Sequence, residues 1–124
     1  MIDISTPQKA ATIGFQESPV AQIVVRHRRI IEINREVERM FGYSRADLVN
    51  RSVQRLYPST ADFNQIGARC EKRMRASGDT YYEDERFMQA WDQKIFWVRA
   101  KGTTLSPEDP FSMMIWSFEK IVDK

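Results

Sequence analysis

Residues 18–43 constrain the fold of this chain more than any other segment, because they contain two strand patterns followed at once by a capped helix. Every second residue of 21–26 is apolar, which is the period of a strand with one buried face. A second short strand pattern follows at residues 30–33. Asn34 is a preferred N-cap, and Gly42 can end a helix in the left-handed conformation. The segment therefore predicts a β-hairpin that runs directly into an amphipathic helix.

The rest of the chain adds helices and then strands. Ser44 and Asp47 form a capping-box pattern that opens a short helix, and a long amphipathic helix is predicted from about residue 60 to residue 76. Three strands follow, at residues 81–89, 95–101 and 111–119. This order predicts an α+β fold, with a five-stranded antiparallel sheet and helices packed on one face.

Composition is that of one globular domain. The chain has 124 residues, one cysteine and a formal net charge of +2, and its length suits a single core. No apolar run is long enough to span a bilayer, and residues 1–12 lack a signal-peptide pattern. One cysteine cannot form an internal disulfide, so we expect a cytoplasmic protein. The small net charge argues against direct contact with nucleic acid.

Residues suited to catalysis or metal binding do not form a site in this sequence. His27 is the single histidine, and it lies in a basic hairpin turn without a carboxylate to orient it. One histidine and one distant cysteine cannot build a closed zinc shell. We therefore expect no catalytic residues, no metal site and no enzymatic activity.

The order of motifs resembles that of a PAS domain, the small sensory module of bacterial transcription regulators and sensor kinases. The matching residues, in chain order, are Phe15, Ser18-Pro19, Asn34, Phe41-Gly42-Tyr43-Ser44, Asp47-Leu48 and Arg51-Ser52. The resemblance covers residues 15–122 and leaves residues 1–14 as an N-terminal segment with a flanking helix. It implies a domain that senses a signal and passes it to an output domain elsewhere in the full-length protein.

A ligand pocket between the sheet and the helices is the second implication of the resemblance. The same apolar residues could instead form a filled core, and composition does not separate the two cases. The residues that we expect to face this space are Ile23, Val25, Phe41, Phe63, Ile66, Cys70, Met74, Arg86, Met88, Val98, Met113 and Ile115.

The cofactor of such a pocket stays unknown at this point. Light-sensing PAS domains carry their reactive cysteine in an Asn-Cys-Arg-Phe-Leu-Gln run before the long helix, whereas Cys70 lies inside that helix. We expect Cys70 to pack in the core, which disfavours a covalent flavin. Heme-binding relatives use a histidine on the long helix or a nearby strand, and none lies there, which disfavours heme.

Arg86 is the polar residue that bears most on the pocket. Strand alternation puts it on the same face as Met88, so an inward Met88 would bury the guanidinium. A buried guanidinium needs a carboxylate partner. We favour Asp84, two residues away, as that partner, with an acidic ligand as the alternative.

The last predicted strand is apolar on both faces, although the outer face of such a sheet should be polar. Something must therefore cover the outward side chains, and we expect a second subunit or the N-terminal segment to do so. The resemblance implies the same pairing. The residues expected at the interface of a homodimer are Ile13, Phe15, Trp97, Met114, Trp116 and Phe118.

The predicted function is a signal-sensing and dimerisation module that binds a small molecule and relays it to a separate output domain, in transcription regulation or two-component signalling. A ligand-free dimerisation scaffold of the same fold is one alternative. A small isomerase-like enzyme is another, with Asp84 or Glu85 as its acid. A strongly raised carboxyl pKa would identify that enzyme.

Overall fold

A five-stranded antiparallel sheet forms the centre of the fold in the computed structural model, which describes residues 6–122. The strands are β1 (Ala21–Arg26), β2 (Arg29–Ile33), β3 (Tyr81–Gln89), β4 (Ile95–Thr104) and β5 (Met114–Lys120). They lie in the order β2-β1-β5-β4-β3, and all neighbouring strands are antiparallel. The predicted fold class is confirmed, and β3 has the predicted bounds.

Helices fill the connections around this sheet. They are α1 (Pro7–Glu17), α2 (Arg35–Phe41), α3 (Arg45–Leu48) and α4 (Thr60–Ser77), with 3-10 helices at Val53–Leu56 and Pro110–Ser112. Buried apolar residues of α2, α3, α4 and the first 3-10 helix join those of the sheet in one core. The helices that contribute to the core therefore cover the inner face of the sheet.

Capping residues set the ends of several helices, as the sequence predicts. The Asn34 side chain accepts from the third residue of α2, and Ser44 and Asp47 form a reciprocal capping box at α3. Gly42 and Gly78 end α2 and α4 in the left-handed conformation, with φ of 76° and 71°. Each of these ends depends on residues close in sequence.

The face assigned to the last strand was wrong. Met114, Trp116 and Phe118 are buried on the inner face, where Trp116 pairs with Ile23 of β1. Ile115 lies on the outer face and is exposed, so it does not face the core. The predicted strand began too early, because residues 110–112 form a 3-10 helix, and both faces of the apolar run looked alike.

The N-terminal helix packs at the edge of the fold. Helix α1 contacts α2, and the Gln16 side chain donates to the carbonyl of Ile33 at 3.1 Å. Ile13 and Phe15 are half-buried, and no residue of the helix is fully buried. Helix α1 crosses the boundary predicted between residues 14 and 15, and the first five residues of the predicted N-terminal segment lie outside the described residues.

Candidate functional site

A small cavity lies between the inner face of the sheet and helix α4. Its volume is about 30 Å³, which is room for about two water molecules at roughly 10–15 Å³ each. Its walls come from the hairpin, the first 3-10 helix and the residue after it, α4, β3, the second 3-10 helix and β5. The lining residues are Ile23, Val25, Arg28, Val53, Tyr57, Ile66, Gly67, Cys70, Arg86, Phe111, Met114, Trp116 and Phe118.

The predicted pocket residues divide into three groups. Those that line the cavity are Ile23, Val25, Ile66, Cys70 and Arg86. Those that belong to the core around it, or pack against that core, are Phe41, Phe63, Met74, Met88 and Val98. Met113 is half-buried ahead of β5, and Ile115 lies on the outer face, so neither lines the cavity.

Several cavity residues escaped the sequence analysis. Met114, Trp116 and Phe118 had been assigned to a dimer interface, and burial on the inner face removes them from the protein surface. Arg28 lies in the same basic hairpin turn as His27, and a basic residue in such a turn gives no local signal that it folds inward. Tyr57, before a proline in a loop, had no periodic pattern to identify it.

Arg86 and its partners, here called the Arg86 cluster, form the polar side of the cavity. Arg86 is 4% exposed, and its Nε and Nη2 donate to the two oxygens of Asp84 at 2.7 and 2.9 Å. Its Nη1 donates to the Tyr57 hydroxyl at 2.7 Å. Asp84 also accepts from Tyr82 at 2.7 Å and from Arg69 at 3.0 Å. The protein therefore supplies the carboxylate that the buried guanidinium needs.

The electrostatics of this cluster keep Asp84 ionised. Burial by itself favours the protonated acid, but the hydrogen bonds and positive charge of Arg86 outweigh burial and lower the pKa of Asp84 below its ordinary value of 3.8. Glu85, the other candidate acid, lies on the outer face, where it accepts from the indole of Trp97 at 3.0 Å. The lowered pKa of Asp84 is the opposite of the shift that an isomerase acid would need.

Trp116 folds inward because its surroundings leave room for the indole. A Cβ at Gly102, the facing residue of β4, would lie 2.9 Å from Trp116 ring atoms. The guanidinium of Arg86 lies 4.8 Å from the centre of the Trp116 ring, which is cation–π distance. Tyr82 meets the same ring edge-on at 6.1 Å. An aromatic wall therefore supports the Arg86 cluster.

Arg28 closes the cavity from the hairpin side. His27 and Arg28 are the two turn residues between β1 and β2, and both have positive φ, 47° and 63°. The Arg28 guanidinium lies 3.6 Å from the centre of the Phe63 ring and donates to the Phe63 carbonyl at 3.0 Å. A Cβ at Gly67 would lie 2.3 Å from it, so that glycine of α4 makes space for the guanidinium.

Cys70 lies in the cavity wall as a buried thiol. Its Sγ is 3.8 Å from the Sδ of Met74, one helical turn further along α4. Burial raises the pKa of the Cys70 thiol to about 12. The thiol is therefore protonated at neutral pH and has little nucleophilic character.

The outer face of the sheet carries a second distinct set of side chains. Trp97, predicted at the dimer interface, lies there and meets Phe87 at 4.3 Å between ring centroids. Phe87 is 51% exposed and Ile95 is 54% exposed. Arg99 lies beside them among three acidic side chains. This face thus combines an exposed apolar patch with paired charges.

Across residues 6–122, no group of three or more His, Cys, Asp or Glu side chains is arranged to hold a metal ion. Within the same residues, no helix has the length and apolar character needed to cross a bilayer.

The fold and cavity define an α+β domain of the PAS kind, and comparison with known proteins gives the family. The family model described as PAS domain matches residues 19–117. The chain belongs to the PAS domain family. Members of this family in sensors and regulators are signalling modules, and they commonly dimerise and connect to output domains.

Individual relatives agree with this assignment. The sensor protein TdiS of Thauera aromatica is 30% identical over 115 residues, which are 93% of this chain and 21% of that protein. This chain therefore spans about a fifth of that relative. The PAS domain of a LuxR-family transcriptional regulator from Burkholderia thailandensis, solved with ethanol, is 34% identical, with a TM-score of 0.84 over 89% of this chain and 96% of that one.

A more distant structure shares the fold alone. The PAS domain of a protein from Colwellia psychrerythraea is 18% identical, with a TM-score of 0.81 over 96% of this chain and all of the other. The backbone is thus preserved where most side chains differ.

Proposed function

We propose that this chain is the sensory part of a bacterial signalling protein, binds a small molecule in the cavity beside α4, and relays that binding to a separate output domain. The observation that carries the proposal is a cavity with two guanidinium groups, a phenol and a thiol in its walls, inside an otherwise apolar core. Small-molecule sites have this mixture of apolar walls and a few convergent polar groups. The cytoplasmic location of the protein stays a prediction.

The printed description of one relative supports a small ligand. The Burkholderia thailandensis domain was solved in complex with ethanol, and it shares 34% of its residues with this chain. Ethanol is among the smallest organic molecules, so that complex shows a domain of this fold with a very small ligand. The relay would use the differential affinity of a ligand for two arrangements of α4 against the sheet.

Native mass spectrometry of freshly purified protein tests the ligand. We expect the folded protein to carry added mass that is absent from the denatured protein, and the released compound identifies the signal. A folded mass equal to the chain mass, together with no stabilisation by any compound of a metabolite library, would contradict the proposal. Thermal unfolding supplies that second measurement, because a ligand that binds the native state alone raises the melting temperature.

A ligand-free dimerisation scaffold is the second candidate, and the small size of the cavity favours it. A space for about two waters is compatible with a core that never admits an organic molecule. Mass spectrometry separates the two candidates directly. The isomerase-like enzyme is not retained, because the pKa of Asp84 is lowered and Glu85 lies on the outer face.

We also propose a homodimer that pairs through the outer face of the sheet and helix α1. Trp97, Phe87 and Ile95 supply exposed apolar area on the sheet, and Ile13 and Phe15 are half-buried on the helix. Exposed apolar side chains of this kind are typical of interaction sites. An output element connected to each subunit would respond to changes in this pairing.

A further inference from the structure

The charge balance at the cavity leaves one arginine without an acidic partner. Arg86 is neutralised by Asp84, which also receives a hydrogen bond from Arg69. Arg28 forms no ion pair within residues 6–122. Its neutral partners in that part of the chain include the Phe63 carbonyl and aromatic rings. The cavity is therefore lined by two guanidinium groups, and only that of Arg86 is paired with a carboxylate within residues 6–122.

The two guanidinium groups and the Tyr57 phenol line the same cavity. Arg86 donates to the Tyr57 hydroxyl at 2.7 Å, and the charge of Arg86 is close enough to act on the pKa of Arg28. Burial and the nearby charge of Arg86 contribute to lowering the pKa of Arg28, although an arginine stays charged throughout the physiological range. A half-buried cation beside a second cation is an environment that an anion would stabilise.

The position of Arg28 also explains why the cavity is small. Its side chain comes from the tip of the hairpin and occupies space that Gly67 leaves open on α4. One hydrogen bond to the Phe63 carbonyl and stacking on the Phe63 ring hold the Arg28 guanidinium there. Since about 30 Å³ cannot hold an organic acid, entry of one requires this side chain to move.

We propose that the cavity binds a small organic carboxylate and that Arg28 is the residue that pairs with it, moving off Phe63 to admit the acid. The apolar part of the acid would lie against Phe111 and Trp116, which line the same space. Guanidinium groups recognise carboxylates through two parallel hydrogen bonds. This inference rests on the proposed sensory function and names the chemical class of its ligand.

Titration of the whole chain with matched acids and amides tests the inference. Propionate, butyrate and benzoate are compared with propionamide, butyramide and benzamide at constant ionic strength, with binding followed by amide NMR shifts. We expect at least one acid to bind about tenfold or more tightly than its amide, because charge-assisted hydrogen bonds are about twice as strong as neutral ones. Equal affinities within every pair would overturn the inference.

Substitutions at Arg28 assign the effect to that residue. Arg28→Gln is expected to remove the preference for the acid, whereas Arg26→Gln, on the outer side of the same hairpin and exposed, is expected to keep it. Arg28→Lys retains the charge without the planar fork, so it should keep the preference with weaker binding. Circular dichroism establishes that each variant is folded. A preference that survives in Arg28→Gln, or disappears in Arg28→Lys, would overturn the assignment.

The outcomes separate this inference from the proposed function. If the amides bind as well as the acids, the ligand is not recognised as an anion and the inference is overturned. The proposed small-molecule sensor would still stand. Absence of binding by every acid and amide would overturn the inference as well. In that case native mass spectrometry of the purified protein decides the proposed function by itself. A retained compound of another class would support that function, and the absence of any retained compound would count against it.

Discussion

Arg86 and Asp84 are held together by several hydrogen bonds, and those bonds set the stability of the pair at the residue scale. Desolvation of two charges offsets most of their attraction, so a buried ion pair adds little net stability by itself. Here the guanidinium also reaches Tyr57, and the carboxylate reaches Tyr82 and Arg69. Removal of one partner would leave the other charge buried and uncompensated.

Asp84→Asn is therefore expected to destabilise the fold by about 3–5 kcal/mol, the usual effect of breaking a buried pair from one side. Urea unfolding followed by tryptophan fluorescence measures the change. Glu83→Gln is the matched control, because Glu83 is the neighbouring acid on the outer face. We expect this substitution to lower the free energy of unfolding by less than about 0.5 kcal/mol. Equal effects of the two substitutions would refute the account of the buried pair.

The same pair predicts a dependence of stability on pH. Because folding lowers the pKa of Asp84 below 3.8, the unfolded chain binds that proton more readily. The contribution of Asp84 is complete above the unfolded pKa and is lost as pH falls through the folded pKa. The stability difference between the natural chain and Asp84→Asn should stay constant from about pH 7 to about pH 5 and shrink as the pH falls below about 4. Urea unfolding across that range measures it, and a constant difference would contradict the prediction.

Cys70 gives a prediction about reactivity at the same scale. A buried thiol with a pKa of about 12 should react slowly with Ellman's reagent at pH 8, because the thiolate is the reacting species. The unfolded chain in urea is the control and should react at the rate of a free cysteine. Rapid labelling of the folded protein would show that the cavity wall opens more readily than the described packing allows.

Asn34 joins helix α2 to strand β1, so its effect belongs to the element scale. It is fully buried, and its Oδ1 accepts from the amides of Val37 in α2 and Gln22 in β1. Its Nδ2 donates to the carbonyl of Val20 at 2.8 Å. One side chain therefore caps a helix and fixes that helix against the first strand.

Asn34→Ala should cost about 2–4 kcal/mol, since it removes a cap and leaves buried backbone groups unsatisfied. Ser44→Ala, at the exposed cap of α3, is the control and should cost about 1 kcal/mol. Thermal or urea unfolding of both variants provides the comparison. A loss no larger than that of Ser44→Ala would mean that the bonds from Asn34 to β1 contribute nothing.

At the scale of the whole molecule, the sheet has two faces with different roles. The inner face carries the core and the cavity, with Met114 and Trp116 of β5 buried in it. The outer face carries Phe87 and Trp97, which remain available to another surface, beside the paired charges of Arg99. Association through the outer face would leave the cavity intact.

Phe87→Lys is expected to convert the proposed dimer to a monomer without loss of fold. Phe87 is 51% exposed and lies in the apolar patch, so a charge there is solvated in the monomer and buried in the dimer. Light scattering coupled to size exclusion measures the mass. Leu105→Lys is the control, because Leu105 is 68% exposed in the loop after β4 and the dimer should persist. A natural chain that is monomeric would refute the proposed pairing.

The sequence by itself determined several helix ends, the order of helices and strands along the chain, and the family. Asn34, Gly42, the capping box of α3 and Gly78 act within a few residues of where they lie, so local physical chemistry predicted them. The alternation of β3 predicted that Arg86 and Met88 share a face, and both are buried. Signals that operate over one helical turn or one pleat are contained in the local sequence.

The tertiary structure alone decided which face of β5 points inward and where Arg28 lies. In β5 the apolar residues occupy both faces, and the polar Ser117 and Glu119 on the side of Ile115 were the sole local sign of the outer face. Trp116 turns inward because Gly102 leaves space for the indole on the neighbouring strand. Arg28 turns inward because Gly67 leaves space for its guanidinium on α4. Both depend on contacts between residues far apart in sequence, which local pattern does not encode.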